Sequence, residues 1–179
     1  MVKLPMLSRA LPLLLFFTLF TGPLVASPKK FQFSVLEEPV EMKVRTTAYT
    51  HTEPDHIIYG KLSAYGSYLQ ASEAYTSAAA DWSFLPIGTV FRIKNYGPTL
   101  FVIDDYGSAL TGKETVDLYF ETQAEMNRWG ARNVEIEILR LGDYRASYMI
   151  LRERAHWPHC YAMAKKIYDR YQSKKVAQD

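Results

Sequence analysis

Between Met42 and Leu139 the chain is a succession of short β-branched segments separated by turn residues, with one helical stretch among them. Such a pattern leaves few architectures open. Met42, Val44 and Thr46 alternate with Lys43 and Arg45 as a half-buried strand requires. Val90–Lys94 and Leu100–Asp105 flank Asn95-Tyr96-Gly97-Pro98, a hairpin signal. Val116–Phe120 and Val134–Leu139 add two further strands, the latter with Val134, Ile136 and Ile138 on one face and Glu135 and Glu137 on the other. The stretch ETQAEMNRWG is a helix, with Thr122 and Glu125 as a capping box, Gly130 as its stop, and Met126 and Trp129 facing the sheet. Short strands with a single connecting helix favour a compact Greek-key-like or psi-type barrel over a parallel α/β sheet.

The segments outside this core have different chemistry. Lys3 and Arg9 precede an apolar run from Leu11 to Phe20, and Gly22-Pro23 leads to Ala26 and Ser27. That is the layout of a secretory signal peptide, with cleavage expected after Ala26 and the mature protein in the periplasm or cell envelope. The run is shorter than the ~20 apolar residues that span a bilayer. The expected organisation is a signal peptide over 1–26, a polar linker over 27–41, the barrel over 42–140 and a helical C-terminal extension over 141–179. The extension is rich in Arg, Lys, Tyr and Met. Pro158 suits the first turn of its second helix, and Met163, Ile167 and Tyr171 fall at helical spacing.

Composition narrows the function classes. A mature part of about 150 residues suits one domain. The single Cys160 excludes an internal disulfide, so stability must come from the core. A net charge of +2, with dispersed Lys and Arg, argues against nucleic acid.

Three aspartates stand out by their placement beside turns and strands: Asp81 in AAADWSFLPIGTVF, Asp105 in FVIDDYGSALTG and Asp117 in ETVDLYF. The Gly107-Ser108 and Thr111-Gly112 turns let the chain reverse between Asp105 and Asp117, so that two carboxylates can meet in one cleft. Carboxylates so placed desolvate and repel each other, which keeps one protonated as a general acid. Asp104 adjoins Asp105. On a regular strand the two point to opposite faces, and spacing alone does not choose between them.

The stretch from Val44 to Leu139 resembles the three-aspartate (3D) domain, the double-psi β-barrel of the catalytic part of membrane-bound lytic transglycosylase A and of related wall-remodelling proteins. The resemblance rests on Thr47–Thr50, Ser63–Leu69, Ala79–Thr89, Val102–Gly112, Val116–Phe120 and Trp129–Leu139, in that order. It implies a mainly β fold, a six-stranded double-psi barrel with one connecting helix and a C-terminal helical extension. It also implies that Asp81, Asp105 and Asp117 are the family's three aspartates, with Asp104 the outward neighbour. Tyr106 and Ser108 replace a commoner Thr and Gly, and the loop from Gly112 to Asp117 is one residue longer than usual, so the pairing of Asp105 with Asp117 is the expected point of departure.

The activity implied by the resemblance is lytic transglycosylation of peptidoglycan, with no cofactor and no metal. Ordinary glycosidases divide the work between two carboxyls. A lytic transglycosylase uses the C6 hydroxyl of N-acetylmuramic acid as its nucleophile, so one carboxyl can serve as acid and then base. Asp117 takes that role and Asp105 tunes or orients it, these two being the catalytic pair. Asp81 fixes a turn or binds a sugar hydroxyl. Tyr49 and Thr50 are the best further candidates for the substrate cleft, followed by Tyr106 with Gly107 and Ser108; Tyr65 and Trp82 lie in the same blocks. The expected partners are peptidoglycan glycan strands, with no nucleic acid, no membrane after signal cleavage, and a monomeric state. An aspartic-type protease would show Asp-Ser/Thr-Gly, whereas this chain has Asp105-Tyr106-Gly107 once. A metal site would draw on His51, His56, His156 and His159, but no pair forms a metal motif. The rival from another class is a barrel that binds wall or a partner without cutting it.

Overall fold

The computed structural model describes residues 34–54 and 56–177. The expected signal segment and cleavage site lie outside the described residues. Six strands, β1 (Ser34–Tyr49), β2 (Thr76–Ala80), β3 (Val90–Ile93), β4 (Leu100–Asp105), β5 (Thr115–Tyr119) and β6 (Arg132–Leu141), close into a barrel in the order β1-β5-β2-β4-β3-β6. The pairs β1/β5 and β2/β4 are parallel and the other four antiparallel. Parallel neighbours this close in the chain need crossing connections, which makes the barrel psi-type rather than a meander. Closure removes the exposed strand edges of an open sheet.

Alternation along each strand sets the two faces. Val44, Ala78, Phe91, Ile103, Val116, Leu118 and Ile136 fill the barrel, each 3% exposed or less, with Phe91 stacked on Phe101. The opposite residues on β1, β5 and β2 (Thr47 and Tyr49, Asp117 and Tyr119, Ser77 and Ala79) therefore stand on the outer face. Helix α1 (Gln123–Trp129) has the capping box Thr122/Glu125 and ends at Gly130 with φ 63°. Its Trp129 is buried and donates to the Thr46 hydroxyl at 3.3 Å.

Two expectations change at the ends of the barrel. The strand expected from Met42 begins at Ser34, so residues 34–41 pair with β6 instead of forming linker, through a register shift between Val35 and Val40. The extension folds as α2 (Tyr144–Glu153) and α3 (Pro158–Val176), and Leu151, Cys160, Met163, Ala164 and Ile167 join the barrel's own core cluster. Pro158 opens α3, where its missing amide hydrogen costs nothing. Tyr171, expected on the buried stripe with Met163 and Ile167, is 67% exposed.

The passage from barrel to extension is tight. Gly142 and Asp143 donate to Thr89 Oγ1 and the Ile87 carbonyl, each at 3.0 Å, and Ile87 N donates to Ser147 Oγ at 3.0 Å. A Cβ at Gly142 would lie 2.1 Å from the Ile87 carbonyl oxygen, so only glycine fits.

Candidate functional site

Strand register builds the site on the outer face. Thr47 pairs with Asp117, Asp117 with Ala79, and Ala79 with Asp105, so these four residues form one row across β1, β5, β2 and β4. Asp117 and Asp105 are thus two strands apart, about 10 Å between their Cα atoms at ordinary strand spacing, with the methyl of Ala79 between them. Asp117 is half-buried, and its Oδ1 accepts the Thr47 hydroxyl at 2.7 Å. The longer loop before it leaves that register intact. Asp81, 1% exposed, holds the loop: Oδ1 accepts Ser83 N at 2.7 Å and Ser83 Oγ at 2.5 Å, and Oδ2 accepts Gly112 N at 2.7 Å. Asp81 is therefore a turn-fixing residue and offers a sugar no open oxygen.

Asp105 lies under the connection between β1 and β2. It is 4% exposed; Oδ1 accepts the amides of Ala64 at 2.8 Å and Tyr106 at 2.9 Å, and Oδ2 accepts the Tyr49 hydroxyl at 3.0 Å. Burial pushes its carboxyl up from the ordinary range, against those donors, which act in the opposite direction. A carboxyl so enclosed cannot touch a polymer on the surface. Asp105 is therefore placed to hold its neighbours in position and not to contact a polymer.

Asp104 does not face away from this group. The β2/β4 register shifts between Ala78 and Ala79: Ala78 pairs with Ile103 and Ala79 with Asp105, which leaves Asp104 as the extra residue of a β-bulge. The bulge breaks the alternation and puts both carboxylates on the outer side. Asp104 is 7% exposed and its Oδ2 accepts Ser77 Oγ at 2.7 Å, while Oδ1 is buried with no hydrogen-bond partner. Burial, with the neighbouring charge of Asp105 adding, pushes its carboxyl up to about 7.

Tyr49 joins these groups. It is 8% exposed, and its ring meets Tyr119 at 5.6 Å and His56 at 5.5 Å, both edge-on. Burial, then the negative charges of Asp105, Asp104 and Asp117, hold its hydroxyl well above the usual tyrosine range, so it stays a donor. Tyr119 shares a 2.8 Å hydrogen bond with His51 Nδ1, and burial followed by the Glu121 charge pushes its hydroxyl up to about 12. Sequence reasoning did not place His51, His56 and Tyr119 here. The period-two spacing of Asp117 and Tyr119 was the available signal for the tyrosine.

The remaining candidates lie elsewhere. Thr50 is fully buried, its hydroxyl donating to the Glu121 carbonyl at 3.4 Å. Trp82 is a core residue whose Nε1 donates to the Asp105 carbonyl at 2.8 Å. Tyr106 turns toward the extension, where its hydroxyl accepts Cys160 Sγ at 3.2 Å and Arg154 Nη1 at 3.3 Å, which removes it from the cleft. Burial pushes its hydroxyl up to about 12. Gly107 and Ser108 open the 3₁₀ turn Ser108–Leu110, with Ser108 exposed. Tyr65 is 43% exposed. Two surface depressions, of about 470 and 310 Å³, are lined by Arg92, Lys94 and Glu137 and by Glu73, Tyr96 and Tyr119 among others, and neither reaches Asp117.

No curated protein matches this chain significantly. Residues 76–140, which run from the start of β2 into β6 and include Asp81, Asp104, Asp105 and Asp117, match the family model of the 3D domain. Residues 76–140 of this chain are therefore a 3D domain, set in a closed six-stranded barrel.

Proposed function

We propose that this protein is an exported peptidoglycan lytic transglycosylase that cleaves between N-acetylmuramic acid and N-acetylglucosamine, with Asp117 as the single acid and base. One observation carries the proposal. Of the four aspartates gathered in this half of the barrel, Asp81, Asp104 and Asp105 are at most 7% exposed, while Asp117 is half-open on the outer face. A two-carboxyl glycosidase needs both groups at the scissile bond. An intramolecular displacement needs one.

Asp117 gives its proton to the glycosidic oxygen as the C1–O bond breaks. The C6 hydroxyl of the same muramic acid residue then bonds to C1, and the Asp117 carboxylate takes that hydroxyl's proton. No water is consumed, and the enzyme returns to its starting protonation state with a 1,6-anhydro end formed. The Thr47 hydroxyl fixes one oxygen of Asp117, and Asp105 orders Tyr49 beside it.

Incubation of purified wall with the protein is expected to release 1,6-anhydromuropeptides, seen by mass spectrometry, and Asp117→Asn to reduce release by at least about a thousandfold. Reducing ends instead would identify a hydrolase. No release, with the protein pelleting on wall, would identify a binding barrel.

A further inference from the structure

The C-terminal extension meets the aspartate cluster through a single backbone segment. Arg154, the residue that ends α2, donates from Nη1 to the Ala64 carbonyl at 2.7 Å. The amide of Ala64 donates to Asp105 Oδ1 at 2.8 Å, and the amide of Tyr65 donates to the Asp104 carbonyl at 3.1 Å. The 64–65 peptide group is thus held between Arg154 and the Asp104 carbonyl, and the preceding one is held by Asp105. The same Nη1 reaches the Tyr106 hydroxyl at 3.3 Å, and Cys160 of α3 donates to that hydroxyl at 3.2 Å. Tyr106 in turn supplies its amide to Asp105 at 2.9 Å. Both routes from the extension end on one carboxylate.

We propose that Arg154 is a positioning residue of the site: it clamps residues 64 and 65 against the bulge at Asp104, and so keeps Asp105 bonded to Ala64 and aligned on Tyr49. The extension is then a working part of the catalytic face. The connection it clamps, residues 50–75, is also held by Leu69, buried with Tyr49 and Leu110, and by Ala64 itself, packed against the barrel core, while Arg154 is the charged donor on the Ala64 carbonyl. Its Lys61–Glu121 ion pair is exposed, and such pairs contribute little. Around Ala64 the segment is closed by its own turn, Ser63 N to the Ser67 carbonyl at 2.9 Å, which fixes its shape but not its distance from the barrel. An arginine with its guanidinium over the Tyr106 ring, 5.9 Å from the centroid, and a charged donor on a carbonyl adds to that anchoring.

The consequence for turnover rests on the transglycosylase proposal; the consequence for the segment does not, and the test separates them. Amide hydrogen exchange is measured on the full chain and on Arg154→Met, Arg154→Lys and Arg152→Met, the last altering an exposed arginine near the end of α2. Arg154→Met is expected to speed exchange at Ala64 and Tyr65 by roughly tenfold or more, with Ile136 and Ile138 of β6 unchanged. Losing the Ala64 donor also raises the titration midpoint of Asp105, read from its carboxyl ¹³C shift. Arg154→Lys, which keeps a charged donor, is expected to restore most of the protection, and Arg152→Met to match wild type. Where wall cleavage is active, kcat of Arg154→Met falls roughly tenfold with KM little changed. Unchanged exchange at Ala64 and Tyr65 with an unmoved Asp105 titration would overturn the clamp, as would equal acceleration at Ile136 and Ile138, which would mean general loosening. Altered exchange in a protein that releases no anhydro product would leave the clamp standing and overturn only the transglycosylase reading.

Discussion

Asp104 was the residue whose face the sequence misrepresented, and the reason is local. Alternation assigns neighbours to opposite sides only while pairing is regular, and the extra residue on β4 is set by its register against β2, which no pattern within LFVIDD reveals. Asp117 was legible because β5 is regular, Val116 and Leu118 inward and Asp117 outward. Tyr106 was misplaced because a residue leaving a strand has no fixed side. The Asp104 environment makes a prediction about pH. Its folded-state carboxyl stands at about 7 against an ordinary 3.8, so the folded chain holds a proton that the unfolded chain has lost. That contribution to stability is complete below about pH 4 and gone once the pH passes about 7. The difference between 3.8 and about 7, at about 1.36 kcal/mol per pH unit, bounds the loss at roughly 4 kcal/mol. Urea denaturation from pH 4.5 to 7.5 should show wild type losing stability and Asp104→Asn losing much less; parallel curves would contradict a proton held at this position.

At the scale of elements, five of the six strands were visible as β-branched or alternating runs, and α1 was visible through its capping box. The sixth, β2, was not. Its sequence TSAAA is poor in strand formers, and all five residues are buried. It runs between β5 and β4, with its outer face under the site and its inner face in the barrel, so small side chains are needed on both sides. That requirement comes from neighbours distant in the chain. The start of β1 was hidden similarly: residues 34–41 are strand because β6 is long enough to pair with them. The 3₁₀ turn and the loop into β5 depend on Asp81, whose buried carboxylate takes two backbone amides and one hydroxyl. Asp81→Ala leaves those donors without a partner and is expected to cost about 2–4 kcal/mol by urea denaturation. Asp81→Asn, which keeps one acceptor, should cost less. A null effect of the alanine variant on stability would remove the turn-fixing role.

For the molecule as a whole, barrel and extension share one core, since Leu151, Met163 and Ile167 pack into the cluster that fills the barrel. The helical spacing of Met163 and Ile167 led us to expect an extension folded back on the barrel, and it packs there, but an amphipathic stripe states that a helix has an inner face and not which residues cover it. Gly142 makes the junction rigid as well as continuous. A Cβ there meets the Ile87 and Pro86 carbonyls at 2.1 and 2.5 Å and Thr89 N at 2.5 Å, all backbone atoms. Gly142→Ala is therefore expected to cost about 3 kcal/mol or more and to lower the melting temperature visibly in calorimetry. In mechanical terms the junction is a weld and not a hinge: the helices have no pivot on which to swing as a lid. Heating should accordingly melt the described protein in a single transition, and any influence of its C-terminal part on the aspartate face must act by changing stiffness and not by opening a door.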